Sequence, residues 1–154
     1  MNQALNMDGG IHEIPVPALV GRLWLCGKHF IGPDYAAALQ RVQASHVVCL
    51  VREGELRGRY NKYLTWLQTN DCSTWYPIHD LSSPPIEEIL PLYQGVVDRL
   101  RRGESVIVHC AGGVGRAGTL AVAVCQIAGM PLDEALRHVR QHRPGAGPEV
   151  GSQL

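Results

Sequence analysis

At 154 residues, with 45% hydrophobic and 18% charged content, the chain is long enough to bury a core without cross-links and reads as one domain. Fourteen Lys and Arg balance fourteen Asp and Glu, so no global field draws it to nucleic acid or to an anionic membrane surface. Five cysteines, an odd number without paired or metal spacing, argue against a disulfide framework, and no apolar run approaches the length of a membrane span.

Residues 1–21 carry Pro15, Pro17 and Gly21 and little periodicity, which predicts an irregular lead-in able to pair at a sheet edge. Residues 22–26 read as a first strand closed by Gly27. Residues 34–45 read as a helix, with Leu39 and Val42 three apart and alanines on the buried side. Residues 46–51 are continuously apolar, the pattern of a strand buried on both faces of a parallel sheet. A charged loop follows over 52–58, then a helix over 61–69 and a strand over 74–78. The loop after that strand holds His79, Asp80, Pro84 and Pro85. Residues 86–102 have helical spacing, although Pro91 weakens the N-terminal half. A central strand is expected over 105–109, a buried helix over 119–128 and an amphipathic helix over 132–142. Residues 143–148 form a turn, and 149–154 supply only a short terminal helix. The arginines at 99, 101, 102, 137, 140 and 143 read as solvated helix faces.

Strands alternating with helices predict an α/β fold: a mostly parallel central sheet flanked by helices on both faces, with a 22–148 core. Ligands in such sheets bind outside the strand carboxyl ends, and Cys110 and Asp80 both follow such ends directly. After Cys110 come Ala111, Gly112, Gly113, Val114 and Gly115, then Arg116 and an apolar helix. A strand, a glycine-rich loop and a helix start converge backbone N–H groups on one spot that favours an anion. A thiol there is expected to carry its charge as a thiolate near neutral pH, ready for nucleophilic attack. Residues 113–118 also spell G-x-G-x-x-G, but dinucleotide binding needs a following strand that ends in an acidic residue. Asp133 and Glu134 open a helix instead, so that reading fails.

The pattern H-C-x5-R over 109–116, with Gly118 after it and Asp80 before it, resembles the phosphate loop of the cysteine-dependent protein tyrosine phosphatases. Between about 21 and 148 the chain resembles the small, atypical dual-specificity type, through the residues 77–80, 108–118 and 143–145. The resemblance implies a phosphocysteine intermediate, no metal and no cofactor. It gives Cys110 the role of nucleophile, and Arg116 that of a bidentate clamp on the phosphoryl oxygens. The loop amides from Ala111, Gly112, Gly113, Val114, Gly115 and Arg116 bind the remaining oxygens. Asp80 is the expected general acid and then base. His109 is expected to orient the loop and help hold the thiol ionised.

Two departures stand out. The family has Ser or Thr after the arginine, where this chain has Ala117, so phosphocysteine breakdown is expected to be slow; whether Thr119 reaches the sulfur is open. Only a faint echo of a phosphotyrosine-clamping segment lies at 57–61. The expected substrate is a phosphorylated protein or peptide, handled by a cytoplasmic monomer without nucleic acid or membrane. The alternatives are a phosphatase of a non-protein ester (phosphoinositide, nucleotide or RNA end) and a catalytically weak phospho-binding module.

Overall fold

The computed structural model describes residues 10–79 and 84–148. Its elements are β1 (Ile11–Ile14), β2 (Arg22–Gly27), α1 (Lys28–Ile31), α2 (Tyr35–Arg41), β3 (His46–Cys49), a 3-10 turn (Glu53–Glu55), α3 (Asn61–Thr69), β4 (Ser73–Trp75), α4 (Ile86–Arg101), β5 (Ser105–Cys110), α5 (Arg116–Ile127) and α6 (Leu132–His142). The strands form one sheet in the order β1-β2-β5-β3-β4. β1 runs antiparallel to β2, and every other pairing is parallel. This is the expected α/β architecture, with the lead-in supplying the edge strand.

β5 lies in the middle. Its register sets Cys26 and Gly27 of β2 beside His109 and Cys110, and Cys49 of β3 beside His109 from the other side. Val106, Ile107 and Val108 are fully buried, as a strand covered on both faces requires. Burial of that kind is worth about 1.5–3 kcal/mol per large aliphatic side chain, which fixes the strand end that carries the thiol. Side chains alternate along β5, so His109 and Cys110 leave toward opposite faces. α3 meets His109 through Tyr63. α4, α5 and α6 pack in sequence on one another, and α5 lies against β2 and β5.

Several boundaries differ from expectation. The helix expected over 34–45 ends at Arg41, and the strand expected over 46–51 ends at Cys49. α1 has no counterpart in the sequence reading, and the terminal helix expected over 149–154 lies outside the described residues. β4 ends at Trp75, because Pro77 has no N–H to extend the ladder. The chain still follows β3 loosely, with Tyr76 N donating to Cys49 O and Ile78 N to Leu50 O, both at 2.9 Å. α4 is continuous from Ile86 despite Pro91. Its buried stripe of Ile89, Tyr93, Val96, Val97 and Leu100 outweighs the single hydrogen bond that proline removes. α5 starts at Arg116, three residues early, so the end of the glycine loop is itself the first helical turn.

Candidate active site

The loop between β5 and α5 has two sides, and the carbonyl side is fully accounted for. Ala111 O accepts from Lys28 N at 2.9 Å. Gly112 O and Gly113 O accept from Arg143 Nη2 and Nε at 2.9 and 2.7 Å. Val114 O accepts from Gly147 N at 2.9 Å and Gly118 N at 3.1 Å, and Gly115 O from Thr119 N at 2.9 Å. Five consecutive carbonyls are thus tied away from the loop's interior, which turns the amide side inward. A backbone held in this way is an anion nest. The Cys110 sulfur already uses it, accepting from Gly113 N at 3.2 Å and Ala117 N at 3.4 Å. Gly113 is required at its position: φ is +77°, and a Cβ there would lie 2.4 Å from the backbone of Cys26.

Arg116 is buried, and its guanidinium is aimed by its partners. Glu55 grips the Nη edge with two bonds, Nη1–Oε2 at 2.9 Å and Nη2–Oε1 at 2.8 Å, while Nη1 also donates to Ile78 O at 2.8 Å. Burial pulls the Glu55 carboxyl up. Hydrogen bonds from Arg116 and from Arg52 N, together with the charges of Arg116 and Lys28, outweigh that and hold it below the usual carboxylate range.

His109 is fully buried, and burial pushes its pKa down to about 4, so the ring is neutral at neutral pH. Its Nε2 pairs with Tyr63 Oη at 2.6 Å and its Nδ1 with Cys110 O at 3.3 Å. The Cys110 carbonyl can only accept, so Nδ1 carries the proton and Nε2 accepts. The Tyr63 hydroxyl, which burial keeps protonated by raising it well above its ordinary value, donates to Nε2. The imidazole therefore orients the Cys110 backbone and brings no charge to the sulfur.

Arg143 corrects the sequence reading. It is not on a solvated helix face but buried at the C-cap of α6, where the chain has already left the helix and turns back under the loop. Thr119 does not serve the sulfur either, because its hydroxyl donates to Gly115 O at 2.8 Å. Asp80 lies outside the described residues. Sequence reasoning misses Glu55 and Tyr63. A general rule could have found Glu55, since a buried arginine needs a carboxylate and 52–55 leaves a strand at the same sheet edge. Among the described residues, no group of three or more His, Cys, Asp or Glu is arranged to hold a metal ion.

Comparison with known proteins follows the same lines. The family model described as "PTP-SAK: Swiss Army Knife protein, DSP-PTPase phosphatase domain" matches residues 29–146. The chain is 30% identical over 107 residues to zebrafish (Danio rerio) dual specificity protein phosphatase 22-B, covering 56% of this chain and 58% of that protein. It is 37% identical over 67 residues to human dual specificity protein phosphatase 16, covering 40% of this chain and 10% of that one. The chain thus spans less than two thirds of each of these curated relatives. Among solved structures it is similar to Tk-PTP in the active form, with a TM-score of 0.69 and 29% identity over 92% of this chain and 90% of that one. A mouse putative dual specificity phosphatase complexed with zinc tungstate shares the fold, with a TM-score of 0.69 and 21% identity over 92% and 80% of the two chains. On a match that runs from His29 to Ala146 and contains the whole loop, the chain belongs to the DSP-PTPase family of cysteine-dependent phosphatases.

Proposed function

We propose that the protein hydrolyses phosphotyrosine, phosphoserine and phosphothreonine esters in proteins or peptides, through a phosphocysteine intermediate. The observation that carries this is the loop whose five carbonyls are tied outward while Gly113 N and Ala117 N donate to the Cys110 sulfur. In the first step the Cys110 thiolate attacks phosphorus and the P–O bond to the leaving group breaks. The loop amides and the Nε–Nη2 edge of Arg116 meet the equatorial oxygens. Glu55 holds the adjoining Nη1–Nη2 edge and so sets the fork's angle. Asp80 protonates the leaving oxygen and, in the second step, takes a proton from the water that releases inorganic phosphate. What supports this role is sequence proximity: Ile78, two residues before Asp80 in the chain, accepts from Arg116 through its carbonyl.

A slow-turnover reading is favoured by one observation. Ala117 offers no hydroxyl to the departing sulfur, and the Thr119 hydroxyl is bound to Gly115 O. Rapid-mixing hydrolysis of an aryl phosphate, followed by a panel of phosphopeptides, phosphoinositides and nucleotides, tests both readings. A burst followed by a slow steady rate is expected, with the phosphopeptides turned over fastest. Faster turnover of a non-protein ester would replace the substrate class. A folded chain that binds phosphate but hydrolyses no ester would be a binding module. The reading further takes the protein to act as a cytoplasmic monomer, and among the described residues no helix is long and apolar enough to cross a membrane.

A further inference from the structure

Arg143 reaches the loop from the β1–β2 side, and its Nη1 group meets a partner the reaction itself does not use. That partner is Nδ1 of His12 on β1, at 2.6 Å, with Gly10 O and Leu25 O further off at 3.4 Å. Guanidinium can only donate, so this short contact requires His12 to accept through an unprotonated Nδ1. Protonation would set N–H against N–H beside a buried cation. The bond therefore exists only while His12 is neutral. Burial and the neighbouring Arg143 charge both lower the His12 pKa, in keeping with that state.

We propose that His12 is a positioning residue for the phosphate loop: its neutral imidazole fixes Arg143, and Arg143 in turn holds the carbonyls of Gly112 and Gly113 outward. The inference rests on the phosphate-loop reading of residues 110–116. Among the described residues, Cys26 from β2 and Cys110 at the loop act on Arg143 electrostatically, and α6, which packs against β1, carries His138, Arg140 and His142. His138 Nε2 lies 2.6 Å from Pro15 O, and His142 Nδ1 lies 2.9 Å from His138 O. Glu13 pairs with Arg22 on the other face of β1 and β2, away from His12. Acidification thus acts on this network through His12, releasing Arg143 from its anchor and loosening the amide side of the loop.

The test uses the full chain with His12→Ala and His12→Asn, since asparagine Oδ1 stands where Nδ1 accepts but does not titrate. The first readout is the pH midpoint of Cys110 alkylation by iodoacetamide, followed on the Cys110 peptide, with kcat/KM on an aryl phosphate beside it. Loss of a hydrogen bond to a charged group predicts a fall in kcat/KM on the order of tenfold for His12→Ala, with the midpoint moving up, and restoration of both by His12→Asn. Unchanged values in His12→Ala, or a folded His12→Asn as impaired as the alanine variant, would overturn the proposal. If His12→Ala does not fold, inorganic sulfate binding to Cys110→Ser between pH 7 and 5 decides. Added positive charge alone strengthens sulfate binding. The proposal instead predicts weakening on acidification with His12 present and none with His12→Asn; equal behaviour would refute it. Neither alkylation nor sulfate binding needs turnover, so a chain inert on every ester would sink the proposed function and leave this inference standing or falling by itself.

Discussion

Two arginines are buried at the phosphate loop, one on each flank, and they are bound in different ways. On the β3–β4 side Arg116 meets a carboxylate, Glu55, and the carbonyls of Leu50 and Ile78. On the β1–β2 side Arg143 meets backbone carbonyls and the neutral ring of His12. The carboxylate leaves Arg116 in a paired, aimed state, one fork edge fixed. The carbonyls make Arg143 a bracket, which shapes the backbone. Identical side chains thus take separate roles. Under the proposed function, one is kept for the phosphoryl group and the other builds the surface that receives it.

The division can be broken from either flank. The largest expected effect is on the Arg116 side. Arg116→Lys keeps a cation beside Glu55 but removes the planar fork and the Nη1 bonds to Leu50 O and Ile78 O, so kcat/KM should fall by about 10²–10³-fold. The fall in melting temperature should be smaller than in Arg143→Lys, because the ammonium still pairs with Glu55. A fall in melting temperature as large as that of the Arg143 variant would erase the distinction. Arg143→Lys should do something different. A lysine cannot reach Gly112 O and Gly113 O together, and leaving the buried Gly113 carbonyl unpaired costs about 1–3 kcal/mol. Chemical denaturation should show that loss together with roughly tenfold lower kcat/KM. Lost activity at full stability would mean that Arg143 touches the chemistry itself.

Acid sharpens the comparison at β5. His109 has a folded pKa of about 4 against 6.5 in the unfolded chain, so the unfolded state binds more protons between those values. Stability is therefore fully present above pH 6.5 and declines as the pH falls toward 4, by about 3 kcal/mol at most from this residue. His109→Gln should flatten the slope in a pH series of melting curves; an unaltered slope would show that His109 is not its source. The smallest effect concerns the second chemical step. Ala117→Ser should raise steady-state kcat a few-fold and shrink the burst, with little change in burst rate. A serine variant with wild-type kcat would show that breakdown of the intermediate is not limiting.

What the sequence makes legible is local. Cys110, the glycines and Arg116 are contiguous, and a strand followed by a loop and a helix start is enough to imply an anion cradle. The partners that aim this cradle are distant in sequence. Glu55 lies 61 positions from Arg116 and His12 lies 131 from Arg143, so only the fold brings them together. Arg143 misleads because it continues the spacing of Arg137 and Arg140. Yet it stands one residue past the end of α6, where helical periodicity no longer tells which way a side chain points. At Pro91 the cost of proline to α4 is visible in the sequence, whereas the buried stripe that outweighs it becomes visible only on packing.

The central claim is that the outward-tied loop holds a nucleophilic sulfur. It is tested most directly by acid-quenching the wild-type chain within the burst of aryl phosphate hydrolysis and mapping the adduct by peptide mass spectrometry. The account predicts one phosphoryl group on the Cys110 peptide, formed at the burst rate, and neither adduct nor hydrolysis in Cys110→Ser. Hydrolysis that persists in Cys110→Ser, or a phosphoryl group found on another residue, would contradict it.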